Sequence, residues 1–281
     1  MKSVLIALLL LLPAAASPGE EKVFDLHVHL RDGEPSVRKY LADFKDGKVR
    51  LAGFGAMWFG GPHQALAGNI DNIRASNDAN MALAAKFPGM VPIATVHPYD
   101  GNAAIEELRR IAGLGAKVLK LHPHTQKFDA SDPRVLALVK QAGDLGVVVM
   151  MDNAAIVPDD CEHLFNLALA SPKTKFIFAH MGALNFRFWN ILALARTAEN
   201  LFADNIYFDI SGTAIIAAGS PIQQEFVWTL RNVGIDHVLV GSDYPQMSLS
   251  RTLAALDRLD LTDTEKAQIR FENARKLFGL K

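Results

Sequence analysis

The sequence predicts an α/β fold, a closed (β/α)8 barrel of the TIM-barrel type, and two observations carry that prediction. Short apolar runs alternate with longer amphipathic stretches along the chain, which is typical of parallel strands joined by helical crossovers. There are eight such runs, and from His29 to Asp243 their ends are spaced by about 31 residues, as in a barrel of about 250 residues. A doubly wound open sheet is the competing fold, but its G-x-G-x-x-G fingerprint does not follow the first run.

The elements are predicted in a regular order. The eight strands are Val23–His29, Leu51–Trp58, Met90–His97, Lys117–His122, Val147–Asp152, Lys175–His180, Asn205–Ser211 and His237–Asp243. Amphipathic periodicity predicts helices that include Ala103–Ala112, Arg134–Leu145, Glu162–Ala170 and Gln223–Val233. Asp132 before Pro133 is typical of a helix N-terminus, and Thr262 with Glu265 predicts a capping box.

Composition narrows the class of protein. The chain has 281 residues, of which 50% are apolar and 21% charged, so it can bury the core of one large domain. Its net charge of −1, without a basic block, argues against a nucleic-acid partner. The single cysteine, Cys161, excludes an internal disulfide and a thiolate zinc cluster.

Residues 1–16 read as a signal peptide rather than as part of the fold. Lys2 precedes an apolar run over Val4–Leu12, and Ala14–Ala16 resembles an A-x-A cleavage site. The run is shorter than the ~20 residues of a membrane span, and no other segment is long and apolar enough to be one. We therefore expect an exported protein, periplasmic or secreted, with residues 17–281 forming a single domain.

Polar residues end most of the predicted strands: His29, His97, His122, Asp152, His180 and Asp243. The carboxyl ends of barrel strands meet at one mouth, where catalytic groups are placed. Histidine and aspartate are costly to bury there unless they are paired or bind a metal. The pattern therefore indicates a functional site.

Two pairs of residues on strands have the spacing of neighbours. His27 and His29 are two apart, so both side chains face the barrel axis and could bind one cation. Lys120 and His122 share the face opposite to Leu119 and Leu121. If that polar face is the lumen, both side chains could bind substrate.

The motifs resemble those of the amidohydrolase superfamily, in the amidohydrolase-related branch that includes aminocarboxymuconate semialdehyde decarboxylase-like enzymes. The matching segments are D-L-H-V-H-L at 25–30, L-K-L-H-P at 119–123, A-H-M-G at 179–182, G-S-D-Y-P at 241–245 and N-A-R-K-L-F-G-L at 273–280. This resemblance implies one divalent metal ion, usually zinc, at the mouth of the barrel. His27 and His29 would be ligands, Asp243 a ligand that also accepts a proton, and His180 a catalytic acid–base beside the metal.

One residue departs from the family pattern. Strand five usually ends there in a metal-binding histidine, whereas this chain has Asp152. Asp152 could be a ligand, which would shift the preference from zinc toward manganese or iron. It could instead lie outside the ligand set, with His180 completing it, or the site could have decayed. Some relatives carry a carboxylated lysine that bridges two metals, which is an alternative role for Lys120.

The leading functional prediction is a metal-dependent hydrolase that uses an activated water to cleave an ester, lactone or amide of a small-molecule substrate. A nonoxidative decarboxylase is the second, with Lys120, Arg187 or Arg31 as the clamp for a carboxylate. A noncatalytic exported binding protein on the same barrel is the third. The sequence leaves the oligomeric state open; dimers are common among similar barrels, so a homodimer is one candidate assembly.

Overall fold

The computed structural model describes residues 22–58 and 65–280. The predicted signal peptide over residues 1–16 lies outside these ranges and stays a prediction. Within the described residues, eight parallel strands form one sheet in the order of the chain, β1 to β8. The predicted (β/α)8 TIM barrel is confirmed.

The strands fall where the apolar runs predict them. They are β1 Lys22–His29, β2 Arg50–Met57, β3 Met90–Thr95, β4 Val118–Leu121, β5 Val148–Asp152, β6 Phe176–Ala179, β7 Ile206–Asp209 and β8 Val238–Leu239. The ordered strands are shorter than the apolar runs, so His97, His122 and His180 lie just beyond the last ladder residues. The largest difference is at β8, where the ladder stops after two residues instead of continuing to Asp243.

Helices follow the strands around the outside. They are α1 Glu34–Ala42, α2 Ile70–Lys86, α3 Asn102–Gly113, α4 Pro123–Gln126, α5 Pro133–Asp144, α6 Asp160–Leu169, α7 Ile191–Ala195, α8 Thr213–Ala217, α9 Gln223–Val233, α10 Leu249–Arg258, α11 Asp263–Ala267 and α12 Asn273–Phe278. Asp132 caps α5 through the Arg134 amide, and Thr262 and Glu265 form the predicted capping box. None of the helices in these ranges has the length and apolar character that a bilayer crossing requires.

Backbone hydrogen bonds between β1 and the segment after β8 close the barrel. The Leu26 amide donates to the Val240 carbonyl at 3.1 Å. Further along, the Tyr244 amide donates to the His27 carbonyl at 3.2 Å, and the His29 amide to the Tyr244 carbonyl at 2.8 Å. These contacts bring the first strand beside the loop that carries Asp243.

Side-chain alternation separates two cores. Val118, Val148 and Ile177 point into the barrel, where α12 covers the lower end. Leu119 and Leu121 belong instead to the larger core between the strands and the helices. Lys120 therefore faces the lumen, as its position in β4 predicts.

Candidate active site

A cavity of about 420 Å³ opens at the carboxyl ends of the strands. Seven of the side chains that the sequence singles out as ligands, catalytic groups or substrate contacts line it: His27, His29, Lys120, His122, Asp152, His180 and Asp243. The fold thus brings these seven side chains to one cavity, and the geometry below bears on the role of each.

Three potential ligand atoms converge at the bottom of this cavity. The Nε2 atoms of His27 and His29 are 3.0 Å apart. Asp243 Oδ1 lies 3.2 Å from His29 Nε2 and 3.5 Å from His27 Nε2. Metal bonds of about 2.0–2.2 Å in a tetrahedron separate the ligand atoms by roughly 3.3–3.6 Å. The His27–Asp243 separation has that length, and the two shorter separations would widen by a few tenths of an ångström around an ion.

A buried carboxylate on β7 determines which nitrogen of His27 is available. His27 Nδ1 lies 2.7 Å from Asp209 Oδ2, which also accepts a hydrogen bond from the Ser211 hydroxyl at 2.7 Å. The His27 proton therefore lies on Nδ1 and is directed at Asp209. The other ring nitrogen, Nε2, is then unprotonated, and its lone pair faces His29 and Asp243. Burial also holds the pKa of His27 well below its usual value, which favours the neutral, metal-binding imidazole.

The loop after β8 places Asp243 through close packing against β1 and β7. A Cβ atom at Gly241 would lie 2.5 Å from Asp209 Oδ1 and 2.8 Å from the His27 Cβ, so only glycine fits there. The Ser242 amide donates to Asp25 Oδ1 at 2.8 Å, and the Ser242 hydroxyl to the His27 carbonyl at 3.1 Å. Asp243 itself has φ of 62°, a left-handed conformation that aspartate tolerates better than most residues.

His180 begins a turn in left-handed conformation, with φ of 63°. Its Nδ1 lies 3.0 Å from the Ser211 carbonyl, to which it can donate, and its Nε2 lies 3.4 Å from Asp152 Oδ1. Burial by itself would lower the pKa of His180, but the hydrogen bond to Asp152 and its charge outweigh burial and raise it to about 9. One ligand atom each of His27, His180 and Asp243 lie within 4.8 Å of one another.

Asp152 Oδ1 also lies 3.5 Å from His122 Nε2, so the carboxylate joins two histidines from different strands. Burial raises the pKa of Asp152, but His180, His122 and Lys120 together hold it well below its usual range. Burial lowers the pKa of His122 to about 4. His122 is therefore neutral at pH 7, and Asp152 is ionised.

Lys120 lies at the bottom of the lumen, and 1% of it is exposed. Its Nζ has no hydrogen-bond partner among residues 22–58 and 65–280. Burial lowers the pKa of Lys120, while the charges of Asp152, Asp243 and Asp209 oppose this effect. The Lys120 side chain thus lies among three carboxylates that favour its charged form against the effect of burial.

Of the other candidates from the sequence, His97 and Arg187 contact neighbouring protein groups, and Arg31 lies at the cavity. His97 accepts from the Tyr99 amide and contacts the Gln126 carbonyl, within a turn. Arg187 pairs with Glu225, whereas Arg31 lines the cavity.

Sequence reasoning missed Asp209, Ser211 and Asp25. Asp209 and Ser211 are polar residues two positions apart at the end of an apolar strand. The same spacing identifies His27 and His29, so it could have identified this pair as well. Asp25 stands inside the first motif, but its partners Tyr40 and Ser242 come from distant parts of the chain. Only the folded structure brings those together.

The donor set fits a divalent cation. The Nε2 atoms of His27 and His29 and Oδ1 of Asp243 are electron-rich atoms that lie close to one another. A single proton on His29 cannot bridge all three of the contacts between them, whereas a cation would attract all three atoms.

The amidohydrolase family model matches residues 24–280. The chain belongs to the amidohydrolase family. Solved structures resemble this amidohydrolase over almost their whole length.

Three of these solved structures show which kinds of protein share the fold. A Staphylococcus aureus protein with a provisional amidohydrolase assignment is 22% identical, with a TM-score of 0.74, covering 92% of this chain and 100% of that one. The 5-carboxyvanillate decarboxylase of Sphingomonas paucimobilis is 15% identical, with a TM-score of 0.72, covering 93% and 100%. A dihydroxybenzoic acid decarboxylase from Polaromonas, crystallised with manganese and 2-nitroresorcinol, is 16% identical, with a TM-score of 0.68, covering 92% and 97%. At these identities the likeness establishes the fold.

Proposed function

We propose that this amidohydrolase is a metal-dependent hydrolase that cleaves an ester, lactone or amide bond of a small molecule. The observation that carries the proposal is the convergence of His27 Nε2, His29 Nε2 and Asp243 Oδ1, at 3.0–3.5 Å, in the cavity at the barrel mouth. Groups at this end of a (β/α)8 barrel are those that the fold uses for catalysis.

His27, His29 and Asp243 would hold the ion, and His180 lies within reach of the same position. When bound, a divalent ion there polarises a substrate oxygen and lowers the pKa of a water molecule. The two imidazole donors suit zinc, and the carboxylate is also compatible with manganese or iron. We propose zinc as the resident ion.

The chain's own side chains would carry the protons. Asp243 accepts a proton from the attacking water, whose oxygen bonds to the substrate carbonyl carbon. His180 is anchored at Nδ1 by the Ser211 carbonyl and lines the cavity. Its Nε2 proton, which faces Asp152 Oδ1 at 3.4 Å, can be donated to the leaving oxygen or nitrogen of a substrate bound there. The bond from the carbonyl carbon to that atom then breaks, which yields an acid and an alcohol or amine.

Nonoxidative decarboxylation is the second candidate, and it is supported by two of the similar solved structures, which are decarboxylases. In that reaction His180 would deliver its proton to the carbon that loses CO2. Arg31 lines the cavity and Lys120 lies at its bottom, so both remain available near a substrate carboxylate. Arg187, the third residue that the sequence offers to bind a carboxylate, instead forms a salt bridge with Glu225.

The Asp243→Asn variant tests the proposed role of this carboxylate. We expect the variant to fold and kcat to fall by about 10²–10⁴, because the amide cannot accept the proton. Turnover would be measured with metal-loaded protein on lactones, aryl esters and aromatic carboxylic acids. Release of acid and alcohol supports hydrolysis, release of CO2 supports the second candidate, and normal turnover in the variant removes Asp243 from the mechanism.

A further inference from the structure

Asp152 occupies the position at the end of β5 where the sequence resemblance leads one to expect a metal ligand. We propose that Asp152 is instead a positioning residue, which holds His180 toward the substrate and stays outside the metal coordination sphere. This inference rests on the proposed function, because it assigns Asp152 a part in that same site.

The interatomic distances show that one oxygen of Asp152 lies close to two histidines. Asp152 Oδ1 lies 3.4 Å from His180 Nε2 and 3.5 Å from His122 Nε2. The opposite nitrogen of each ring faces protein. His180 Nδ1 is 3.0 Å from the Ser211 carbonyl, and His122 Nδ1 accepts from the Thr125 amide at 3.5 Å. Both rings therefore direct Nε2 at the same carboxylate oxygen.

The ligand triangle lies on other strands and is complete without Asp152. His27 and His29 come from β1, and Asp243 follows β8. The group of ligand atoms within 4.8 Å of one another consists of His27, His180 and Asp243, and Asp152 is not a member. The second oxygen of Asp152 faces the Ala154 amide at 3.4 Å. A shift of this carboxylate toward an ion would leave the partly buried N–H groups of these neighbours without that acceptor, which is unfavourable.

The consequence is that His180 is held at both ends of its ring. The Ser211 carbonyl and hydroxyl contact Nδ1 at 3.0 and 3.1 Å, and Asp152 contacts Nε2. This support matters because the backbone turn that carries His180 is itself left-handed. Catalytic side chains lose much of their effect when their orientation is not fixed by such neighbours.

Asp152→Asn separates positioning from ligation, because the amide keeps the shape of the side chain but removes its charge. The protein would be loaded with Co2+, whose visible spectrum reports the coordination sphere, and the bound metal would be counted by elemental analysis. We expect one equivalent and an unchanged spectrum in Asp152→Asn, with kcat reduced about tenfold or more and KM changed little. Asp243→Asn is the positive control and should alter the spectrum, whereas Asp144→Asn, an exposed residue on α5, should change neither quantity.

His122→Gln provides a second variant that leaves Asp152 in place. Because both changes disturb the same contact, we expect their effects on kcat to be less than multiplicative in the double variant. Multiplicative effects would contradict a shared role.

Three results would overturn the inference. Two concern Asp152→Asn: loss of metal or a changed Co2+ spectrum, and an unchanged kcat. The third is an Asp152 oxygen within about 2.6 Å of the ion in a crystal structure of the wild-type protein with Mn2+. The crystal structure needs no variant, so it decides the question even if Asp152→Asn does not fold. A wild-type chain that binds no ion would overturn the proposed function, and this inference with it. Metal bound by wild type but lost in Asp152→Asn would overturn this inference alone.

Discussion

At the scale of single residues, the chemistry of the site depends on side chains that fix the orientation of others. Asp209 is fully buried and accepts from His27 Nδ1 and from both the amide and the hydroxyl of Ser211. It therefore sets the tautomer of His27 without reaching the ligand triangle itself. Carboxylates in this position strengthen the metal-binding nitrogen at the other side of the ring.

Asp209→Asn should weaken metal binding without abolishing it. We expect the dissociation constant for zinc to rise about 10- to 100-fold, because the amide is a poorer acceptor for the His27 proton. Competition with a chromophoric chelator measures it, and Asp144→Asn serves as the surface control. An unchanged constant would show that Asp209 has no influence on the ligand.

A second prediction at this scale concerns pH. Burial raises the pKa of Asp160, at the start of α6, from 3.8 to about 6. The folded state thus holds the proton more tightly than the unfolded chain, so this contribution to stability is full below pH 4 and is lost as the pH rises through 6. Asp160→Asn does not titrate, and its free energy of unfolding relative to wild type should therefore increase between pH 4.5 and 8.

Urea unfolding at several pH values measures that difference. The exposed Asp144→Asn variant is the matched control and should show no comparable trend. A difference between Asp160→Asn and wild type that stays constant with pH would contradict the assignment.

At the scale of elements, the site depends on how β1 meets the segment after β8. Asp25 on β1 accepts from the Ser242 amide at 2.8 Å, from the His27 amide at 3.2 Å and from the Tyr40 hydroxyl of α1 at 2.7 Å. One buried side chain therefore joins a strand, a helix and the loop that carries Asp243. Its pKa is raised by burial to about 6.

Tyr40→Phe should loosen this junction. The change removes one donor from a buried carboxyl group, so we expect the free energy of unfolding to fall by about 1–3 kcal/mol. Tyr207→Phe, on β7 where the ring stacks on His237 at 4.7 Å, is the comparison, and its loss should be smaller. Equal losses in urea unfolding of the metal-free proteins would contradict a special role for the Tyr40 hydroxyl.

The sequence predicts the elements better than it predicts their ends. Apolar runs with regular spacing identify all eight strands, because burial on both faces requires such runs in a parallel sheet. The end of β8 is misplaced, since Gly241 and Asp243 leave the ladder through close packing and a left-handed turn. Alternation places Lys120 and His122 on the lumen. The partners of Asp152 directly follow β4 and β6, so the sequence around Asp152 gives no sign of them.

At the scale of the whole molecule, a bound ion would connect the two ends of the chain. His27 and His29 belong to the first strand, and Asp243 lies more than two hundred residues later. An ion held between them would favour the closed barrel over the unfolded chain, because a ligand that binds only the native state stabilises it.

The most direct test of the central claim is the metal content of the protein purified without chelator. The account predicts about one equivalent of a divalent ion, with zinc expected, and loss of that ion in His27→Ala. A stoichiometry of two, abolished by Lys120→Ala, would instead indicate a bridging lysine. Absence of bound metal after loading with zinc, manganese and iron would contradict the account and favour a noncatalytic binding protein.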